Sequence, residues 1–407
     1  MHPKPLFDTL DNIDEQCLPT DIATDLAFSP LDFQYAKNFL MQFNGSKATF
    51  EAYRREIERL LQWAWFIEKK SITKLDRNHI DMYLQFCLAP PKSWIGTKRV
   101  ARFITDENGL RQPNPEWRLF VATVSKAQNK EGIEPDKNHF RSSQQTTVAL
   151  FAILGSFYNY LIYENIINAN PVAQIRQKSK YVRKQQSQKQ VRRLSELQWN
   201  IVLETAQKMA EEDHLRHERT LFILSAMYLM YLRISELVTS PRWMPMMGHF
   251  FKDSQGNWWF KTVGKGNKER DITVSDEMLQ SLKRYRKALG LLPELPLSNE
   301  QTPLITAINS MQPITSDRPI RSLIQACFDR ASEQLKTEGF HEEASALNAA
   351  TVHWLRHTGI SDDINKRKRP IAHVRDDAGH SSSAITDRYN DAERMERHAS
   401  GRKKRLS

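Results

Sequence analysis

The sequence predicts a mainly α-helical protein of two domains with one small antiparallel β-sheet. At 407 residues the chain is long enough to build two cores. Apolar residues recur at helical spacing through most of the patterned stretches, while two short strand-like runs flank a Gly-Lys-Gly-Asn turn at 264–267. Between the halves, 176–193 carries eight Lys or Arg and no acid, which reads as an exposed linker.

The elements follow in order. Residues 1–30 form an N-terminal extension with acids and prolines but no apolar stretch behind a positive start, so they are not read as a signal peptide. A helical domain spans 31–175. Its first helix opens near Ser46, a candidate N-cap, and Ile57, Leu60, Leu61, Ala64 and Trp65 give that helix one apolar face. Lys47, Arg54, Arg55 and Arg59 make the same helix basic. A second helix runs over 76–88 and stops at Pro90-Pro91, and a strongly apolar one covers 146–163 before Asn170-Pro171. Between them, an insertion at about 92–140 contains Trp94, Ile95, Pro113, Pro115 and Trp117; a surface elaboration is favoured over an extra DNA-touching helix.

The second domain spans 194–399. Helical segments run to Leu237, with Arg233 near the C-terminal end of the apolar one. Runs 258–263 and 269–274 read as a hairpin, and helices return over 320–336 and from just before His353. Residues 400–407 are a basic tail.

Composition narrows the function. A net charge of +11 favours a polyanionic partner. Cys17, Cys87 and Cys327 make neither a disulfide framework nor a metal spacing, which suits a reducing cytoplasm. The longest apolar run, 221–232, is too short to span a bilayer, so no membrane partner is expected.

Six residues carry the chemistry. Arg233 sits in Tyr-Leu-Arg-Ile-Ser-Glu-Leu (231–237), Lys265 in Gly-Lys-Gly-Asn-Lys (264–268), and His353 and Arg356 in His-Trp-Leu-Arg-His (353–357); His380 follows Gly379, and Tyr389 closes Asp-Arg-Tyr (387–389). Taken singly these are a helix end, a hairpin turn, a chance surface pair and a helix start. Together they suit attack of a tyrosine on a phosphodiester. Arginine's planar fork holds two phosphoryl oxygens and keeps its charge, which stabilises the negative charge that builds as the nucleophile attacks. A phenol, with an ordinary pKa of about 10, needs a base or a positive field. His353 shares a helical face with Arg356 and is the natural proton handler, whereas His357 is assigned to structure.

In order and local separation these residues resemble the tyrosine recombinase (phage integrase) family. The helical first half is similar to that family's SAM-like core-binding domain, on the strength of 46–65 and Asn170-Pro171-Val172. The resemblance implies a helical core-binding domain followed by an α+β catalytic domain. It implies a site-specific recombinase that links Tyr389 to a DNA 3′ phosphate and exchanges strands through a Holliday junction. In that scheme Arg233 and Arg356 grip the phosphate, His380 donates to it, and Lys265 protonates the leaving 5′ oxygen. The partners are double-stranded DNA, a homotetramer on two DNA sites, and an accessory bending or directionality factor. No cofactor and no metal are expected. Candidate DNA contacts are Lys47, Arg54 and Arg55, with Arg183 and Lys184 in the linker.

The insertion and N-terminal stretch favour an integrase of a mobile element over a chromosome-dimer resolvase. Two other readings stand beside it: a DNA-binding architectural protein without exchange activity, and a type IB topoisomerase-like relaxase. The chain departs from the family pattern at Ala378, where an apolar leucine is usual, in a longer stretch over 241–256, and in acids Asp362, Asp363, Asp376 and Asp377 near the site helices.

Overall fold

The computed structural model describes residues 3–176, 192–264, 266–308, 310–389, 398–399 and 401–402. They fall into two units, Met1–Ser187 and Gln188–Ser407.

In the first unit, helices α1 (Thr20–Asp25), α2 (Ser29–Met41), α3 (Lys47–Trp63), α4 (Arg77–Leu88), α5 (Lys126–Lys130), α6 (Gln144–Tyr163) and α7 (Ala173–Arg176) follow one another. Ser46 does precede α3, which packs on α2 and α6. Asp76 opens α4 by accepting from the N–H groups of Asn78 and His79, while the His79 ring returns to the Asp76 N–H, so the first turn is closed in both directions. By length and composition Gln145–Tyr163 is apolar enough to cross a membrane. Here Leu154, Phe157, Tyr158 and Leu161 lie in the core.

The region 92–140 is more than surface decoration. It forms β1 (Ile95–Gly96) paired in parallel with β4 (Phe120–Val121), and β2 (Phe103–Thr105) antiparallel to β3 (Arg111–Pro113). Trp94, Ile95, Trp117, Leu119 and Phe120 share one core with Leu6, Phe7 and Ile13. Leu6, Phe7, Ile13 and Ile22 therefore anchor the described part of the first thirty residues in this core, and that part does not stand apart as an extension. Alternating prolines and charges hid that, because the buried aromatics are spaced by turns and show no regular period.

The second unit contains α8 (Glu196–Glu212), α9 (His214–Leu229), β5 (Phe250–Lys252), β6 (Trp258–Val263), β7 (Glu269–Thr273), α10 (Asp276–Ala288), α11 (Arg318–Thr337), α12 (His341–Ala349), α13 (Val352–Asn365), α14 (Ile371–Ala378) and α15 (Ser383–Thr386). Helix α9 is its centre and packs on α8, α10, α11 and α13. The strands form one antiparallel sheet in the order β5-β6-β7, with Phe260 opposite Ile272 and both buried. The hairpin read from the sequence is present, and β5 is an added strand. Gly266 and Asn267 take positive φ values of 78° and 59°, which explains the turn composition. One expectation fails locally: α9 stops at Leu229, so Arg233 lies on the loop beyond it.

Candidate active site

The loop after α9 is built around Arg233 and Glu236. Arg233 opens a short 3₁₀ turn (Ile234–Glu236), and Glu236 folds back to accept from its backbone N–H at 2.8 Å and its Nη1 at 2.9 Å. From β7, Arg270 meets the same carboxylate fork-on, both contacts at 2.9 Å. Burial alone would raise the Glu236 pKa, but Arg270 and then Arg233 reverse this and hold it below the ordinary value. Glu236 thus stays ionised and orients both guanidiniums. Gly264, at the base of the hairpin loop, comes close enough that an added Cβ would lie 2.8 Å from Arg270 Nη1 and 3.5 Å from Arg233 Nη1.

Arg356 reaches the same place from α13. Helix α13 can approach α9 this closely because Gly359 has no side chain: a Cβ there would sit 1.9 Å from the Tyr228 carbonyl oxygen. Arg356 is only 2% exposed. Its Nη1 donates to the Tyr231 carbonyl and its Nη2 to the Ala378 carbonyl at 2.6 Å. Arg233 Nη2 donates to the next carbonyl, that of Gly379, at 3.3 Å. The two guanidiniums therefore converge on the Ala378–Gly379 turn that ends α14. Burial first, then Arg233, pushes Arg356 down to about 9. Gly379 has φ 62°, and a Cβ on it would press on Arg270.

Tyr389 ends the 3₁₀ turn Asp387–Tyr389 and is 5% exposed. Its hydroxyl is hydrogen-bonded to His357 Nδ1, and its carbonyl accepts from Asn365 Nδ2 at 2.6 Å. His380 lies nearly parallel to the Tyr389 ring, centroids 6.2 Å apart, with Nδ1 at 3.0 Å from Thr386 Oγ1. His353 packs edge-on against His357 at 4.5 Å between centroids. Desolvation lowers all three imidazoles, followed by Arg356 for His353, His353 for His357, and Arg356 for His380. His357 falls to about 3 and His380 to about 4. At neutral pH His357 and His380 are uncharged.

The acids without a sequence rationale acquire one. Tyr231 is a non-glycine residue with φ 52°, a conformation that costs about 1–2 kcal/mol. Its hydroxyl is held by Asp363 and by Arg369 Nη1 at 3.1 Å. Arg369 also bonds Asp363 and Asp377, each at 2.7 Å, and Asp377 accepts from the Thr273 N–H at 3.1 Å. Asp362 takes the Tyr228 hydroxyl at 2.7 Å. Asp363 and Asp377, joined through Arg369, thus tie α13, α14 and β7 together, while Asp362 ties α13 to α9. Asp376 pairs with Arg375 at 2.8 Å.

The phage integrase family model matches residues 192–396. The chain belongs to the phage integrase family. This integrase-family chain is similar to the tyrosine recombinase XerC of Thermodesulfovibrio yellowstonii, 26% identical over 256 residues, which cover 61% of this chain and 72% of that one. It is also similar to XerC of Chlorobaculum parvum, 23% identical over 244 residues, covering 58% and 66%. Among solved structures it matches XerH site-specific recombinase bound to palindromic difH substrate, with TM-score 0.53, 14% identity, and coverage of 94% of this chain and 89% of that chain. That likeness shows the fold: mainly helical, with small sheets.

Of the six residues read from the integrase-family motifs, the structure gathers Arg233, His353, Arg356, His380 and Tyr389. Lys265 lies outside the described residues, as do Arg183 and Lys184. Sequence reasoning missed Arg270, which no local motif marks. It assigned His357 to structure, whereas Nδ1 of that ring meets the Tyr389 hydroxyl; His353 and His357 are four apart and so share a helix face. Arg54 is corrected. It is 8% exposed, donates to the Asp8 carbonyl and lies over the Phe50 ring at 5.4 Å, so it is a core cation and not a surface contact. Arg59 is likewise buried, bonded to Glu56 and to the Leu119 carbonyl. Lys47 is exposed, and Arg55 is exposed while paired to Glu56 at 2.7 Å.

Proposed function

We infer that this protein is a site-specific DNA recombinase that cleaves and rejoins double-stranded DNA through a 3′-phosphotyrosine link. The observation that supports this most is the convergence of Arg233 and Arg356 on one turn, beside a buried tyrosine that lies within the electrostatic reach of Arg356. Two fixed cations at that spot suit a phosphoryl group whose charge grows during attack. Tyr389 Oη attacks phosphorus, the two arginines hold the non-bridging oxygens, and His380 donates to one of them. His353 belongs with His357 to the proton-handling pair, and Lys265 protonates the leaving 5′ oxygen. The covalent link conserves the energy of the phosphodiester, so a new 5′ hydroxyl reseals it without ATP.

Two such rounds on paired duplexes pass through a Holliday junction and engage four protomers on two sites, with an accessory bending or directionality factor where the sites demand one. The added core elements of the first unit favour the integrase of a mobile element, acting in the cytoplasm on its own ends. The test uses nicked suicide duplexes carrying the element's flanks. Wild-type protein traps a covalent protein–DNA adduct, and Tyr389→Phe traps none. A shifted but never covalent complex would leave only a DNA-binding protein. Relaxation of supercoiled plasmid without a specific site would instead favour a topoisomerase.

A further inference from the structure

The geometry points to His357 as the group that takes the phenolic proton of Tyr389 during attack, and that parks the hydroxyl while DNA is absent. This rests on the recombinase reading above. It gives catalytic work to a residue that the sequence pattern assigns to structure.

His357 Nδ1 meets the Tyr389 hydroxyl directly, with ring centroids 5.5 Å apart. The groups that face this imidazole are His353 and Arg356 on its own helix, His380 from the loop after α14, and Tyr389 from the last 3₁₀ turn. Among the described residues, none of these groups is an acid. Partly desolvated and beside the Arg356 guanidinium, the ring is uncharged, so one nitrogen is an acceptor and the other carries hydrogen. A phenol at neutral pH is a donor, so Nδ1 accepts the Oη–H and the ring hydrogen sits on Nε2. The oxygen is thereby held with its proton already aimed at a base.

The same surroundings couple the base to substrate. A phosphate between Arg233 and Arg356 brings negative charge next to the imidazole and offsets the repulsion that keeps it neutral. As the Oη–P bond forms and the P–O5′ bond breaks, the phenolic proton moves to Nδ1 and the 5′ oxygen receives a proton from the general acid. On resealing, the 5′ hydroxyl attacks, its proton returns to that acid, and His357 gives its proton back to the released phenolate. His353 is exposed, meets His357 edge-on and lies within the electrostatic reach of Arg356 and Arg233.

The experiment measures single-turnover adduct formation on two duplexes, one normal and one with sulfur in place of the scissile 5′ oxygen. Thiolate leaves without protonation, so sulfur bypasses a general acid but not a base. His357→Asn retains a carbonyl that accepts from Tyr389 but cannot take its proton; His357→Ala removes both functions. Both variants are expected to bind DNA like wild type and to cleave about 10²-fold more slowly on either duplex. Their rates should rise with pH as hydroxide supplies the phenolate. Lys265→Ala should recover on sulfur. His357→Asn cleaving at the wild-type rate, or recovering on sulfur as Lys265→Ala does, overturns the assignment while a Tyr389-dependent adduct leaves the recombinase reading intact. A wild-type protein that forms no such adduct on either duplex overturns both.

Discussion

Both units bury charge, and they do so for different ends. In the first, α3 carries Arg54, Arg59, Glu56 and Glu58 into the core, where Glu58 meets Arg102 and the Leu6 N–H, and Arg111 grips Asp8 with two contacts at 2.8 Å. Arg59 bonds Glu56 at 2.8 Å and sits over Phe120 at 4.3 Å. Each of these acids meets an arginine, Arg54 alone being left to the Asp8 carbonyl, and the network ties the N-terminal stretch and the insertion to the helices. In the second unit, three guanidiniums (Arg233, Arg270 and Arg356) gather about one buried carboxylate, Glu236. Arg356 is held by backbone carbonyls instead of an acid. Matched charge closes a core. An excess of cations, fixed in place and only partly neutralised, makes a socket for an anion.

Deleting one arginine from each network tests whether the two act separately. Arg356→Ala should lower single-turnover DNA cleavage by about 10²–10³-fold, the usual loss for one fixed donor at a developing oxyanion. Arg59→Ala should lower stability, by less than the about 3–5 kcal/mol of a wholly stranded buried carboxylate because the exposed Arg55 still meets Glu56, yet leave cleavage per folded molecule unchanged. Thermal unfolding and adduct yield, measured on both proteins, decide it. If Arg59→Ala lost cleavage in proportion to Arg356→Ala, the two networks would not be separable.

Two carboxyls sharpen the contrast through pH. Glu236 lies below its ordinary value of 4.5, so its contribution is fully present above that value and fades as pH falls through the depressed one. Asp32 has the opposite sign. It is buried, accepts from Trp65 Nε1 at 2.9 Å, Ser71 Oγ at 2.7 Å and the Ile72 N–H at 3.0 Å, and desolvation still lifts it above 3.8. Its contribution is full below 3.8 and declines as pH rises through the raised value. Glu236→Gln should therefore remove part of the acid-side loss in melting temperature, whereas Asp32→Asn should remove part of the decline on the rising side. Parallel melting curves across the carboxylate range in both variants would contradict the assigned signs.

These networks also explain what the sequence displays. Arg233, Arg356, His380 and Tyr389 are legible because the proposed chemistry calls for those residue types and short motifs carry them. The hairpin is legible because Gly266 and Asn267 are the residues that tolerate its backbone. Arg54 and Arg59 mislead because a basic helix normally faces water, and nothing local reveals that Asp8 or the Leu119 carbonyl will meet them in the interior. Arg270 is silent for a similar reason: its partner Glu236 is thirty-four positions away, and strand pairing with Thr262 leaves no spacing signal. Tyr231 is harder still, since a tyrosine gives no hint of a left-handed backbone or of the Asp363 and Arg369 that hold its hydroxyl.

The salt dependence of binding tests whether cations of α3 meet DNA. Each phosphate neutralised on a duplex contributes about 0.9 to the slope of log affinity against log salt. Lys47 is exposed at the start of α3, so Lys47→Ala should flatten that slope by about this amount if the helix N-terminus tracks the backbone. Arg54 is pushed down to about 10, by burial and then by Arg102, and its guanidinium is committed to the Asp8 carbonyl. Arg54→Met keeps much of the apolar stem, so the salt slope should stay at the wild-type value while the melting temperature drops. A flattened slope for Arg54→Met would mean that the cation leaves the core when DNA binds. The first network would then do what the second does, and hold part of its charge in reserve for a phosphate.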